Sequence, residues 1–308
     1  MKAFTYTRPE HVADAVRLAA QGGARYLGGG TNLVDLMKLG VERPEHLVDV
    51  SRLPFTQVDI RADGTVQIGA NVSNAALGAH PEVRRRFPAL SQALLAGASG
   101  QLRNAATVGG NLLQRTRCVY FQDVTKPCNK RERGSGCPAR DGEHHNLAIL
   151  GASEHCIATH PSDMAVALAA FDAVIHVQTA DGPREIAIAD FYVPPGDDPR
   201  HETSLPTGAL ITAVALPPLP FASTSRYRKV RERASYAFAN ASVAAAVDVV
   251  DGAVRDVRLA FGAVAPLPWR ARTAEDALRG GPLDTDTARA AMEAELAAAR
   301  PLRDNAYK

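Results

Sequence analysis

Four cysteines are the first candidates for chemistry in this 308-residue chain, because all of them fall between positions 118 and 156. Nine, eight and eighteen residues separate Cys118, Cys128, Cys137 and Cys156. These spacings differ from the Cys-x-x-Cys pairs of zinc sites and from the standard ferredoxin runs. Four cysteines are also too few for a disulfide scaffold in a chain of this length. Spacing alone leaves four readings open: unrelated thiols, two disulfides, a tetrahedral zinc site or an iron–sulfur cluster.

The segment that carries these cysteines adds a second observation. Apolar periodicity stops after Leu113 and does not return before His145, and this stretch holds seven Lys or Arg residues against four Asp or Glu. Such a long irregular segment inside a compact domain is functional, ligand-ordered or disordered. Because it has no apolar face, it needs a covalent or metal link to become ordered. Its positive charges would offset an anionic thiolate cluster.

A glycine motif near the amino terminus has the composition of a phosphate-binding turn. Residues 27–33 read Leu-Gly-Gly-Gly-Thr-Asn-Leu and fall between a predicted strand and a predicted helix. Glycines permit a tight turn whose N–H groups face an anion, and a helix amino terminus adds a favourable dipole. The motif is not the Rossmann fingerprint, which requires glycine at Leu33, and the chain has no Walker sequence. The alternative is an ordinary tight turn capped by Thr31.

A second glycine motif, Ala-Thr-Val-Gly-Gly-Asn, occupies residues 106–111. The preceding residues 97–104 are also rich in glycine, hydroxyl and amide groups, with few side chains suited to packing. A segment of this kind offers its backbone to a ligand. The alternative is a glycine-rich loop that joins two elements.

Composition excludes several broad classes. With 46% hydrophobic and 22% charged residues and a formal net charge of +2, the chain is globular and has no excess charge for nucleic acid or a membrane surface. No apolar stretch approaches the roughly 20 residues that span a bilayer. Residues 1–8 have no apolar core before Pro9 and Glu10, so we expect no signal peptide and no independent export.

Periodicity and turn signals predict alternating helices and strands with a linker at Pro217–Pro220. No internal repeat is visible. Helices are predicted over residues 9–20, 32–39, 73–79, 88–97, 161–171, 273–278 and 285–299. Strands are predicted over residues 25–27, 46–50, 57–60, 65–70, 173–179, 210–216, 225–231, 241–250 and 253–264.

The order of the motifs resembles the FAD-binding medium subunits of the xanthine dehydrogenase and aldehyde oxidoreductase family. Within that family, a cysteine-rich insertion of this kind is typical of the flavin subunits of bacterial periplasmic aldehyde oxidoreductases. The resemblance covers almost the whole chain. It rests on residues 28–33, 99–104 and 106–111, Ser162-Asp163, Tyr227-Arg228-Lys229 and Arg233.

The resemblance implies roles for individual residues. The FAD pyrophosphate would lie on residues 28–35 and on a second cradle, Asp163 would bind the ribityl or ribose hydroxyls, and Lys229 would lie near the edge of the flavin ring. Alternatives are a helix N-cap for Asp163 and a solvated strand face for Lys229. The four cysteines would bind a 4Fe-4S cluster, which leaves the neighbouring histidines without a metal. The implied cofactor-binding residues are Gly28, Gly29, Gly30, Thr31, Asn32, Leu33, Val34, Thr107, Gly109, Gly110, Asn111, Asp163 and Lys229.

The resemblance also implies an α+β fold, a two-lobed FAD-binding domain of the molybdenum-hydroxylase flavoprotein type with a smaller sheet-plus-helix carboxy-terminal domain. The first domain would cover residues 1–217, with lobes 1–52 and 53–217 and the cysteine-rich insertion at about 113–160. The second, of the CO dehydrogenase flavoprotein type, would cover residues 224–308. Because the family usually continues into another helix, we expect a shortened and frayed end at Lys308.

The function implied is electron transfer within a complex. A molybdopterin-binding large subunit and a 2Fe-2S small subunit would deliver electrons to FAD, which would pass them to an external acceptor. No catalytic residue is expected, since the chemistry belongs to the cofactors. The location would be cytoplasmic, or periplasmic by co-export with a partner. The alternative is a non-catalytic assembly module in which a zinc ion binds the cysteine loop and orders it.

Overall fold

The computed structural model describes residues 1–308, and its first lobe is a small three-stranded parallel sheet in the order β1-β3-β2. Helix α1 packs on this sheet through Ala15, Val16 and Ala19, whose spacing places them on one helix face. The elements are β1 (Thr5–Thr7), α1 (Val12–Ala19), β2 (Ala24–Leu27), α2 (Leu33–Lys38) and β3 (His46–Asp49).

The second lobe is built on a five-stranded antiparallel sheet in the order β4-β5-β8-β6-β7. Its strands are β4 (Val58–Ile60), β5 (Val66–Gly69), β6 (Val174–Thr179), β7 (Gly182–Ala187) and β8 (Leu210–Leu216). The helices are α3 (Asn74–Ala79), α4 (Pro81–Arg86), α5 (Pro88–Ala96), α6 (Gly100–Ala105), α7 (Val108–Leu112), α8 (Val119–Gln122), α9 (Asp163–Ala170) and α10 (Ile188–Phe191).

The carboxy-terminal residues form a four-stranded antiparallel sheet in the order β12-β11-β10-β9, covered by two helices. The strands are β9 (Arg226–Val230), β10 (Ala241–Val250), β11 (Ala253–Gly262) and β12 (Trp269–Arg270), and the helices are α11 (Arg272–Leu278) and α12 (Thr285–Leu296). No helix in the structure has the length and apolar character needed to cross a membrane.

Helix α9 joins the second lobe to the carboxy-terminal sheet. Every residue from Met164 to Ala170 is buried, and the helix packs against α5 on one side and against β10 and β11 on another. A helix that is apolar all round is stable only when it is buried all round. Its first residue, Asp163, is therefore fixed at the junction of the two units.

The structure corrects the prediction for residues 97–111, which form two short helices, α6 and α7, rather than a glycine-rich loop. Ser99 and Thr107 cap them, because their hydroxyl groups accept hydrogen bonds from Leu102 and Gly110 backbone N–H groups. Strand β1, helix α4 and strand β7 were not predicted; they are short, and their exposed residues obscure the apolar period.

The expectation of a frayed chain end is also wrong. Asn305 is fully buried, and its side-chain amide donates hydrogen bonds to the carbonyl oxygens of Leu147 and Ala148, at 3.4 and 3.3 Å. The ring of Tyr307 stacks on that of His145 with centroids 4.5 Å apart. The last residues thus pack against the cysteine-rich insertion and hold its second half in place.

A network of charges holds the first half of the insertion. The Arg115 guanidinium lies 2.6 Å from carboxylate oxygens of both Glu42 and Glu202, and the buried Lys130 ammonium lies 2.8 Å from Glu202. Burial alone would raise the pKa of Glu202, but the attraction of Lys130 and Arg115 outweighs it and holds that pKa below its ordinary value. The network links the insertion to both lobes.

We predict that Glu202→Gln lowers the free energy of unfolding by about 1–3 kcal/mol at pH 7, because Lys130 and Arg115 lose a charged partner. A carboxylate whose native pKa is depressed contributes stability that is complete above its unfolded pKa and is lost as pH falls through the native value. Urea denaturation between pH 7 and pH 3 should therefore show a flatter acid decline for the variant. Glu154→Gln is the control, since Glu154 forms an exposed ion pair with Arg140 in the same insertion. Equal effects of the two substitutions would contradict the assignment.

Candidate cofactor sites

A cavity of about 260 Å³ brings together residues from both glycine motifs, α9 and β9. Six of the thirteen predicted cofactor-binding residues line it: Thr31, Asn32, Gly110, Asn111, Asp163 and Lys229. These residues are far apart in sequence, and the fold places them around one space.

The remaining predicted glycines do not line the cavity; Gly28 and Gly29 let the two motifs approach each other, and Gly109 packs closely on Ala70. A Cβ atom on Gly29 would stand 1.8 Å from the carbonyl oxygen of Ala105, and one on Gly109 would stand 3.2 Å from Cβ of Ala70. The lack of a side chain at these two positions permits close packing. The ligand contact expected of Gly29 and Gly109 stays a prediction. Gly28, Gly30, Leu33, Val34 and Thr107 flank the lining residues without lining the cavity themselves.

The polar groups of the cavity fit a phosphate- and hydroxyl-rich ligand such as FAD. The side-chain amide nitrogen of Asn32 and the side-chain oxygen of Asn74 are buried without hydrogen-bond partners, and both residues line the cavity. Buried polar atoms normally have partners, so these unpaired atoms, together with Nε of Arg117, fit a polar ligand in the cavity. Thr31 and Asn32 immediately precede α2, and the amino terminus of a helix favours an anion. The N–H groups of Gly110 and Asn111 are already bound to Thr107, so the second motif brings other polar groups to the cavity, among them the Asn111 side chain.

Asp163 and Lys229 form a buried ion pair at one side of the cavity. Their charged atoms lie 2.7 Å apart, and the Tyr227 hydroxyl donates to the other Asp163 oxygen at 2.5 Å. Burial is the main reason that the pKa of Tyr227 lies well above its ordinary value, with the Asp163 carboxylate adding to it. The Lys229 side chain is 4% exposed, so the solvated strand face considered for it is wrong. The helix cap is Ser162 rather than Asp163. The flavin contacts expected of Asp163 and Lys229 stay predictions.

Sequence reasoning missed several residues of the cavity, including Arg117 and Phe238. Arg117 lies one position before Cys118, but nothing in its local sequence distinguishes it from the other basic residues of the insertion. Both residues also line an adjoining cavity of about 270 Å³, which Asp163 shares and which reaches Cys118. The cavity of about 260 Å³, called the cofactor cavity below, and the cysteines are thus neighbours in space.

The four cysteines line one small pocket. Cys118 and Cys156 are buried, Cys128 and Cys137 are half-buried, and all four thiols are free. The two disulfides considered above are therefore absent. Apolar residues of the insertion, among them Phe121 and Ile157, pack around the thiols. As the side chains stand, no group of three or more His, Cys, Asp or Glu residues is arranged to hold a single metal ion.

Backbone N–H groups point at the sulfur atoms. Burial raises the pKa of Cys118 to about 11, and N–H groups of Phe121 and Tyr120 act against that rise by favouring the thiolate. Burial likewise raises the pKa of Cys137 and of Cys156, opposed for Cys156 by the Lys130 ammonium and a backbone N–H. Buried thiols surrounded by N–H donors and a cation suit a group that supplies positive charge of its own.

We predict that Gly29→Ala reduces flavin retention, because the new methyl group overlaps the Ala105 carbonyl and must push the two glycine motifs apart. Overpacking of this kind costs about 1–3 kcal/mol. Gly100→Ala is the matched control, since a Cβ there meets nothing within 4 Å. The ratio of flavin to protein absorbance in the purified variants measures the effect. A Gly29→Ala protein with the flavin content of the Gly100→Ala protein would show that the close approach is not needed.

Comparison with known proteins agrees with this geometry. Residues 2–219 match the model of the FAD binding domain in molybdopterin dehydrogenase, and residues 225–307 match that of the CO dehydrogenase flavoprotein C-terminal domain. The chain is 52% identical to the aldehyde oxidoreductase FAD-binding subunit of Escherichia coli, over 100% of this chain and 94% of that protein. It is 27% identical to the glyceraldehyde dehydrogenase medium chain of Sulfolobus acidocaldarius, over 92% and 83%.

A solved structure extends the likeness to the fold. The carbon monoxide dehydrogenase of Hydrogenophaga pseudoflava, in a form lacking the Mo-pyranopterin moiety of its molybdenum cofactor, matches with a TM-score of 0.74 at 25% identity. The match covers 98% of this chain and 88% of that one. Together with the two family models, this confirms the predicted two-lobed flavoprotein fold with its carboxy-terminal sheet domain. The chain therefore belongs to the FAD-binding medium subunits of the molybdenum hydroxylase family and is a subunit of an oxidoreductase complex.

Proposed function

We propose that this chain is the electron-transfer subunit of a heteromeric molybdenum-dependent aldehyde oxidoreductase and binds both FAD and a 4Fe-4S cluster. The aldehyde substrate class is supported by the 52% identity to a relative named as an aldehyde oxidoreductase subunit. The proposed partners are a large molybdopterin-binding subunit, a small 2Fe-2S subunit and an external electron acceptor. Its location, cytoplasmic or periplasmic by co-export, stays a prediction.

The observation that carries the cluster proposal is the single pocket lined by all four cysteines. Cys118, Cys128, Cys137 and Cys156 would be its ligands. Phe121 and Ile157 pack with the buried Cys118 and Cys156, and Lys130 lies close enough to Cys156 to favour its thiolate. Low solvent access and nearby positive charge are levers by which a protein sets the potential of a cluster.

When bound, the flavin supplies the exchange of electron pairs and the cluster the exchange of single electrons. The chain's own residues bind and orient. Thr31 and Asn32 would bind the phosphate groups, while the Asp163–Lys229 pair, which is neutral overall, lines the same cavity. No side chain of the chain is assigned a proton transfer.

We predict that Cys137→Ser loses most of the iron, because one missing ligand opens the coordination shell. Iron, sulfide and zinc analysis of the freshly purified protein, with electron paramagnetic resonance of the reduced sample, measures the outcome. Val119→Ala, at an exposed position of the same insertion, is the control.

Full iron content and an unchanged paramagnetic signal in Cys137→Ser would contradict the ligand set. A wild-type protein that is colourless and contains zinc would instead support the zinc-stapled assembly module.

We predict that the isolated chain does not oxidise aldehydes, because aldehyde hydroxylation needs a molybdenum centre and the chain presents no substrate-activating residue. The test compares the isolated chain with the complex reconstituted from all three subunits, using an aromatic aldehyde and an artificial electron acceptor. We expect turnover only in the complex. Turnover by the isolated chain at the rate of the complex would overturn the proposed role.

A further inference from the structure

The side-chain amide of Asn111, in the second glycine motif, has its two ends in different surroundings. Its oxygen accepts hydrogen bonds from the Ser162 hydroxyl at 2.6 Å and from the Gln114 side-chain nitrogen at 2.8 Å. Its nitrogen, which carries two protons, donates no hydrogen bond within the chain, and Asn111 lines the cofactor cavity. The end of the amide that is left for a ligand is therefore the donor end.

The Ser162 hydroxyl determines which way this amide points. Ser162 is 2% exposed, and its oxygen already accepts a hydrogen bond from the Ala165 N–H at 3.0 Å. A hydroxyl has one proton to donate, and the acceptor that it meets is the Asn111 oxygen. If the amide were reversed, this buried proton would lose its acceptor, and an unsatisfied buried donor is costly.

Asn32 of the first glycine motif is arranged in the same way. Its side-chain oxygen accepts a hydrogen bond from the Arg115 backbone N–H at 3.0 Å, while its side-chain nitrogen is buried without a partner. Both asparagines line the cofactor cavity. Two amides from separate motifs thus have their oxygens bound within the chain and their nitrogens free. A ligand that matches them carries acceptor atoms, which FAD has in its phosphates and in its flavin ring.

Capping alone does not explain the contact between Ser162 and Asn111. A cap needs only the hydroxyl oxygen, which accepts from the helix, and leaves the hydroxyl proton unused. Here that proton joins the start of α9 to α7. Each of these helices contributes a residue to the cofactor cavity, Asp163 from α9 and Asn111 from α7.

We propose that Ser162 and Gln114 are positioning residues that hold the Asn111 oxygen, so that the Asn111 nitrogen donates to an acceptor atom of FAD. This inference rests on the FAD site of the proposed function and is independent of the cluster. Ser162 does not line the cofactor cavity, so it acts through Asn111. The acceptor is a phosphate oxygen or an atom of the flavin ring.

The test measures the rate at which FAD leaves the purified FAD-loaded chain, followed by the fluorescence of the released flavin. We expect Ser162→Ala to release FAD about three- to tenfold faster, because a freely rotating amide no longer holds its hydrogen bond to the cofactor. Asp284→Ala is the control. It removes the cap of α12, which contributes no residue to the cavity, and should leave the release rate unchanged.

A double substitution separates positioning from a purely structural role. In the Asn111→Ala background no amide remains to be oriented, so adding Ser162→Ala should not speed the release of FAD further. The same additional increase as in the wild type would show that the hydroxyl serves only the helix cap, and it would overturn the proposal. Gln114→Met covers the case in which Ser162→Ala does not fold. It should speed release in the wild type but not in the Asn111→Ala background, and equal effects would overturn the proposal.

Asn111→Asp tests which end of the amide meets the cofactor, since it keeps an oxygen for Ser162 and Gln114 but replaces the donor nitrogen with an acceptor. We expect this variant to release FAD faster than Asn111→Ala does, and release at the wild-type rate would overturn the proposal. A shifted flavin absorbance maximum in the variant places the accepting atom on the ring, and an unshifted one places it on the phosphates. Wild-type chain without iron would contradict only the cluster, whereas wild-type chain that retains no FAD would overturn the FAD site and this proposal with it.

Discussion

The buried ion pair between Asp163 and Lys229 is the contact on which the cofactor cavity depends. Asp163 begins α9, which is buried on every side, and Lys229 lies on the edge strand of the carboxy-terminal sheet. Breaking such a pair leaves an uncompensated buried charge, which is strongly destabilising. The pair therefore links the second lobe to the carboxy-terminal sheet, and both of its residues line the cavity. The first lobe contributes Thr31, Asn32 and Asp35 to the lining of the same cavity.

The insertion is stabilised differently, because it has little regular structure of its own. Only α8 and a short 3-10 turn at Pro138–Arg140 interrupt its irregular course. Its first half is held by the Arg115, Lys130 and Glu202 network, and its second half by the buried Asn305 of the chain end. These outside contacts place the four thiols around one pocket, and in the proposed function a cluster completes the order.

Much of the fold could be predicted from the sequence, because long buried elements leave a clear apolar period. The strands Ala241–Val250 and Leu210–Leu216 have the predicted bounds, and α9 was predicted from its polar start at residues 161–163. Helices α6 and α7 were missed because glycine has low helix propensity, and the caps at Ser99 and Thr107 overcome it. Contacts with distant parts of the chain decide whether such glycine-rich segments form helices, and a single sequence does not show those contacts.

The candidate site shows the same limit. Motifs predicted which residues surround a ligand, but they did not show that Gly29 also permits close packing, since only the fold brings Ala105 against it. For Lys229 a solvated basic strand stayed open as the alternative to a flavin contact, since arginines flank it in sequence and its partner Asp163 is 66 positions away. Arg117 belongs to no recognisable sequence motif. Residues whose role depends on a long-range partner, or on the lack of one, are the ones that local sequence does not reveal.

One continuous segment links the proposed electron donor to the proposed acceptor. Residues 107–111 are the predicted second cradle, and Arg115 anchors the segment to both lobes. Arg117 lines the cavity, and Cys118 lines the cysteine pocket. A fully extended chain spans at most about 3.6 Å per residue, so the seven steps from Asn111 to Cys118 keep cradle and thiol within about 25 Å. The ion pairs of Arg115 with Glu42 and Glu202 hold this segment against both lobes. An insertion at this point of the chain therefore brings any metal group that it binds close to the flavin cavity, whatever the shape of its distal half.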